Sequence, residues 1–184
     1  YCKGFTGDLA LPDGIKTLEY GVFSGCLLDG TLTLPNNLET IGSSVFRNCE
    51  KLTGDLVIPD SVRTIGNFAF CECPGFNGEL TLGSGLTQID YAAFSSTNFI
   101  GDLIIPSGVT VLNDSFSATG FTSIYLHTDV KEITDQLYLS ELRHVYYPGT
   151  QEAFSAIGNV KYLKSPLSTT GYQLHCGVNI LPEF

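Results

Sequence analysis

At 184 residues, with 43% hydrophobic and 15% charged side chains, the sequence has the composition of a folded chain of one or two domains, not of a disordered one. Nine basic against nineteen acidic residues leave a formal charge of −10, which argues against binding to nucleic-acid phosphates or anionic membranes. No run comes near the roughly 18 apolar residues that a membrane-spanning helix needs, and no signal peptide opens the sequence.

From the first residues onward the chain repeats itself. Segments beginning at Phe5, Leu28, Leu52, Phe76 and Phe99 align along their length, as in FTGDLALPDGIKTLEYGVFSGC and LDGTLTLPNNLETIGSSVFRNC. Phe23, Phe46, Phe70, Phe94 and Phe116 recur at steps of 23, 24, 24 and 22. Leu18, Ile41, Ile65, Ile89 and Leu112 step by 23, 24, 24 and 23. The pair Leu9/Leu11 returns as Leu32/Leu34, Leu56/Ile58, Leu80/Leu82 and Leu103/Ile105. A sixth unit keeps Ile124, Leu126, Ile133 and Leu137 in register, and a seventh keeps Val145 and Tyr147 before departing.

Each unit opens on a short alternating stretch in which Asp8 points out, Leu9 in, Ala10 out and Leu11 in, the mark of a half-buried strand. Pro12 and its equivalents end the strand, because proline cannot donate to a ladder. A second short segment carries the Ile column inward, and a tight turn brings in the Phe. One unit cannot bury its apolar side alone, whereas units stacked about 4.8 Å apart bury the columns continuously. The expected fold is a β-rich, right-handed solenoid of about 23-residue units with short parallel strands and few short helices.

After Pro148 the rhythm breaks. Residues 150–158 predict a short helix: Thr150 as N-cap, Glu152 in the first turn, Phe154 and Ile157 on one face, Gly158 as the stop. Val160 and Tyr162, then Tyr172, Leu174 and Cys176, alternate as two short strands around a loop. Residues 1–148 are therefore expected to form the solenoid, about six to seven units that open in mid-repeat, with 149–184 as its C-terminal cap.

The stretches IGSSVFRNC (Ile41 to Cys49) and IGNFAFCEC (Ile65 to Cys73) carry a resemblance. With the proline-ended strand before them, they make the unit similar to the BspA-like leucine-rich repeat family, over residues 1 to about 150. The first five units differ by a Gly-Asp or similar pair ahead of the strand, as at Thr53-Gly54-Asp55. Pro148-Gly149-Thr150 with His175-Cys176 is similar to the closure found in relatives. The resemblance implies a leucine-rich repeat solenoid from a bacterium, secreted or at the cell surface, and linked to adhesion and protein binding. It implies neither an enzyme nor a cofactor.

The six cysteines raise the question of a disulfide framework or a metal site. Cys2, Cys26, Cys49 and Cys73 fill one repeat column that Thr97 and Thr119 continue, so they are expected inside as small apolar groups, with Cys176 buried too. Cys71 and Cys73 form only C-x-C, with no ligand pair at zinc spacing, and no metal is expected. The three histidines have no nucleophile motif beside them, and His175 and Cys176 point to opposite faces of their strand, so no catalytic residue is assigned.

The strand face offers two candidate sites. Asp8, Thr31, Asp55, Glu79, Asp102, Ser123 and His144 form one outward column, whose carboxylates Asp8, Asp55, Glu79 and Asp102 repel unless a cation, a basic partner or backbone amides relieve them. Ala10, Thr33, Val57, Thr81, Ile104, Tyr125 and Tyr146 form the next, with His127 at the proline position beyond. Ile104, Tyr125, Tyr146, His127 and His144 therefore gather as a candidate partner-binding patch, unless the cap folds over them. The leading expectation is an extracellular module that binds a host or neighbouring-cell protein through this face. The alternatives are a structural spacer in a larger surface protein and a glycan-binding module whose tyrosines stack on sugar rings.

Overall fold

Because proline cannot extend a ladder, the strands that run toward Pro12, Pro35 and Pro59 stop after two residues: Leu9–Ala10, Leu32–Thr33 and Leu56–Val57. In the computed structural model of the chain, which describes residues 4–134, 137–164 and 171–177, they are successive rungs of a parallel β-solenoid. The first face continues through Leu80–Thr81, Ile100–Ile104, Gly120–Tyr125, His144–Tyr147 and Gln173–Cys176. A second face stacks Thr17–Leu18, Thr40–Ile41, Thr64–Ile65 and Gln88–Ile89 in one parallel sheet, followed by Val111–Leu112 beside Glu132–Ile133. Rungs meet at the residues the repeats align: Leu9 with Leu32, Leu56 with Leu80, Ile65 with Ile89, and Ile124 with both Leu103 and Val145.

Inside, the columns are continuous. Phe46, Phe70, Phe94 and Phe116 are fully buried and lie ring on ring with Phe23, at centroid spacings of 5.2, 5.2, 5.2 and 5.4 Å. A second stack, Phe76 on Phe99 on Phe121, meets the first edge-on. Burial of each ring contributes about 2 to 3 kcal/mol, and the offset and edge contacts add to it. Phe5, the counterpart of Phe76 at the N-terminal end of the described coil, is 63% exposed.

The turn that carries each Phe inward has a fixed backbone form. Two left-handed residues four apart flank the ring: Gly21 and Gly25, Ser44 and Asn48, Phe68 and Glu72, Ala92 and Ser96. Only the first unit uses glycine there, so the later units hold side chains in a conformation that costs about 1 to 2 kcal/mol each. Cys26, Cys49, Cys71 and Cys73 are buried as thiols, not cross-links, while Cys2 lies outside the described residues. The column does more than fill space: the thiols of Cys49 and Cys73 donate to Phe23 O and Phe46 O, each at 3.0 Å. Where the column turns to threonine, the hydroxyls of Thr97 and Thr119 donate to Phe94 O and Phe116 O at 2.8 and 2.7 Å.

The C-terminal segment follows the expected helix but not the expected first strand. Helix α1 (Gln151–Ser155) is capped by Thr150, whose side chain accepts from Ala153 N–H, and it buries Phe154. Ile157 is buried behind it, and Gly158 docks beside Glu132 as a partial rung. Val160 and Tyr162, expected on a strand, lie in a 3-10 turn, and the strand is Leu163–Lys164, paired with Leu137–Tyr138. Asn159 is left-handed, so the chain must coil tightly before it can re-enter a rung. Cys176, expected to be buried, is half-buried, on the outer strand of its sheet.

Candidate functional site

The outward positions of the first face change in chemistry along the coil, and all of the first column are exposed or half-buried except Ser123, which is buried rather than outward-facing. In the acidic column Asp8 accepts from Thr31 N–H at 2.7 Å and from its hydroxyl at 2.9 Å. Asp55 accepts from Glu79 N–H at 2.8 Å. On the far side of the strand exits, Asp60 does the same to Ser84 N–H at 2.7 Å and its hydroxyl at 2.9 Å. These amide and hydroxyl donors hold the Asp8 and Asp60 carboxyls below their ordinary range. So two of the four candidate acids, Asp8 and Asp55, grip the next rung's backbone. Glu79 and Asp102 remain directed at the face, where with Thr81 and Ile104 they line a shared hollow. Among the described residues no group of three or more His, Cys, Asp or Glu could hold a metal ion.

The second column becomes aromatic toward the C-terminus. Tyr125 and Tyr146 are adjacent rungs with rings stacked at 4.4 Å and 11°. His175 continues the column beyond Tyr146, stacked on it at 4.5 Å and 15°. His144 stands in the neighbouring column, its Nδ1 3.2 Å from His175 Nε2, a distance that fits one shared N–H. Burial, then the Asp102 carboxylate and the Tyr146 hydroxyl, push the Tyr125 phenol up to about 12. The strand Gln173–Cys176 joins the sheet at its edge and lengthens the face instead of lying across the tyrosines.

Ile104 sits on the rung before Tyr125 and links the aromatic row to a groove. This groove of about 480 Å³ runs past the strand exits and is lined by Val57, Pro59, Asp60, Ile104, Pro106 and His127 among others. Gly83 stands in the proline column between Pro59 and Pro106, where the Pro59 backbone approaches so closely that a Cβ would have no room. Ile104, Tyr125, Tyr146 and His144 are thus brought together, while His127 belongs to the groove. Sequence reasoning missed His175 in the row and the Val57–Gly83–Pro106 groove. The alternation of Leu174 and Cys176 with His175 already pointed that imidazole outward, but it gave no register.

The family model for the BspA type leucine-rich repeat region matches residues 1–115 and 53–167, with six copies. The chain belongs to this family. The BspA-type fold is shared with a leucine-rich repeat protein from Bacteroides ovatus, at 22% identity and a TM-score of 0.53, over 91% of this chain and 48% of that one. It is also shared with a leucine-rich cell surface protein from Faecalibacterium prausnitzii, at 16% identity and a TM-score of 0.52, over 83% of this chain and 62% of that one. The chain therefore spans about half to three-fifths of the length of these two structures, and at such identities the likeness concerns the fold. No curated protein matches the sequence. Among the described residues no helix is long and apolar enough to cross a membrane.

Proposed function

We propose that this BspA-type module is a protein-interaction unit of a cell-surface or secreted protein, and that it engages its partner through the strand face around Tyr125, Tyr146 and His175. The observation that carries this reading is the aromatic row: three rings stacked at 4.4 and 4.5 Å on outward positions where packing demands none of them. Rigid aromatics on a flat sheet are favoured interface anchors because little side-chain freedom is lost when they are covered. The cell-surface description of the Faecalibacterium neighbour supports the location. Glycan recognition by ring stacking fits less well, since both faces of Tyr146 are already taken by Tyr125 and His175.

A screen of the purified chain against extracellular-matrix, plasma and mucosal proteins and glycans tests the proposal. A Tyr125→Ala/Tyr146→Ala variant, its fold checked by melting, runs beside it. The expected result is a saturable protein hit that the variant weakens about thirtyfold or more, as loss of an interface anchor does. A hit indifferent to the substitution moves the site off this row. No hit at about 100 μM refutes the binding role and leaves a spacer.

A further inference from the structure

The groove adjoins two exposed acids, Glu79 and Asp102, the latter also taking the Tyr125 hydroxyl, and together they define what kind of chain could lie there. The apolar groove between Val57 and Pro106 and the acidic hollow of Glu79 and Asp102 share Thr81, Leu82 and Ile104 as common walls. Val57 is 58% exposed and offers an apolar wall at one end of the groove. The two ion pairs among the described residues, Lys16–Glu39 and Arg47–Glu72, lie elsewhere, so among those residues no basic side chain forms an ion pair with Glu79 or Asp102. Their field adds to that of a chain carrying a net −10.

We propose that this furrow binds an extended basic segment of a partner protein, seating an aliphatic side chain between Val57 and Pro106 and a Lys or Arg against Glu79 and Asp102. The proposal rests on the reading of the strand face as an interaction surface and names the chemistry of what it takes. The spacing follows from the sheet. Asp102 and Ile104, like Glu79 and Thr81, are i and i+2 on one face, about 6.6 Å apart along the strand. An extended segment laid along the strands presents its own i and i+2 side chains at the same interval. The recognised pattern is therefore basic-x-aliphatic, with the long basic stem lying over Thr81 and Ile104 while its charge reaches the carboxylates. An acidic or purely aliphatic segment gains only half of these contacts and meets repulsion or unpaired charge in the rest.

Fluorescence anisotropy of the full chain with labelled, end-blocked peptides decides it. The series holds one Arg-x-Leu peptide, one with Glu in place of Arg, and one with Gly in place of Leu. Arg-x-Leu is expected to bind below about 1 mM, with each control at least fivefold weaker. Glu79→Gln/Asp102→Asn should weaken it about tenfold and remove most of its salt dependence, and Val57→Ser should weaken it about threefold. These three positions are exposed, and the peptide series needs only the parent chain, so a misfolded variant does not spoil the test. Equal affinity for the Glu and Arg peptides, no binding below about 1 mM, or indifference to the furrow substitutions overturns the proposal. A protein partner lost with Tyr125→Ala/Tyr146→Ala but kept with the furrow variants leaves the aromatic row standing and removes the furrow.

Discussion

Truncating Phe70 to alanine should cost far more than the same change at Phe23. Phe70 is fully buried, stacked on Phe46 and Phe94 at 5.2 Å each, with Phe76 edge-on at 6.3 Å. Core Phe→Ala changes cost about 3 to 5 kcal/mol, with poorly collapsing sites at the upper end. Collapse is resisted here because the rungs are tied on both sides of the ring, through Phe46 N–H to Ala69 O and Phe70 N–H to Ala93 O, each at 2.7 Å. The expected loss is about 4 kcal/mol. Phe23 is only partly buried and stacks on Phe46 alone among the described rings, so its truncation should cost about 2 kcal/mol. With a urea dependence near 2 kcal/mol per molar, the midpoints should fall by about 2 M and 1 M respectively. Phe70→Leu, which keeps most of the volume, should stay within about 1.5 kcal/mol. Equal midpoint shifts at Phe70 and Phe23 would refute the idea that stability is summed over stacked rungs.

Other outcomes follow from the same geometry. The depressed carboxyls of Asp8 and Asp60 stabilise the fold above their ordinary value of 3.8 and lose that contribution as pH falls through the lower folded value. Acid melting should therefore steepen below about pH 4, and Asp60→Asn should flatten it; an unchanged profile contradicts the assignment. Burial raises the thiols of Cys71, Cys73 and Cys176, Cys73 the furthest, but Cys71 and Cys73 are buried and Cys176 only half-buried, so maleimide at about pH 8 should modify Cys176 before either, as read by mass spectrometry. Ala118 is exposed at a left-handed φ of 57°, and Ala118→Gly should raise stability by about 0.5 kcal/mol in urea unfolding, relief of strain exceeding the added chain entropy.

Much of this was legible because a solenoid converts sequence period directly into contact. Ser123 was aligned with Asp102 and His144 by repeat length alone, and those are its partners in the sheet. Tyr125 and Tyr146 were placed side by side for the same reason. The method fails where the period fails. Between Tyr147 and the strand Gln173–Cys176 the chain runs through a helix and a 3-10 turn, so no count of residues could put His175 beside Tyr146. The groove escaped for another reason. Its walls come from Val57, Ile104, Pro106 and His127 on different rungs and columns, and columns read one at a time do not show a hollow between them. Asp8 and Asp102, alike in the column, have different partners: Asp8 accepts from the Thr31 amide and hydroxyl on the next rung, whereas Asp102 takes the Tyr125 hydroxyl two positions past its own rung partner, Ser123.

Those carboxylate grips have a consequence for how such a protein changes length. Asp8 reaches Thr31, Asp55 reaches Glu79 and Asp60 reaches Ser84, spans of 23, 24 and 24 residues. Each clasp therefore joins one unit to the next and none is committed to the total number. A duplicated cassette cut between two clasps arrives with its own donor and its own acceptor, and closes on the old neighbours as they closed on each other. Copy number in the regular part is free to drift by recombination. The row from Tyr125 to His175 is not free in this way, since it lies where units have stopped being interchangeable. Lengthening the coil would carry that row farther from whatever lies at the other end without altering the surface it presents.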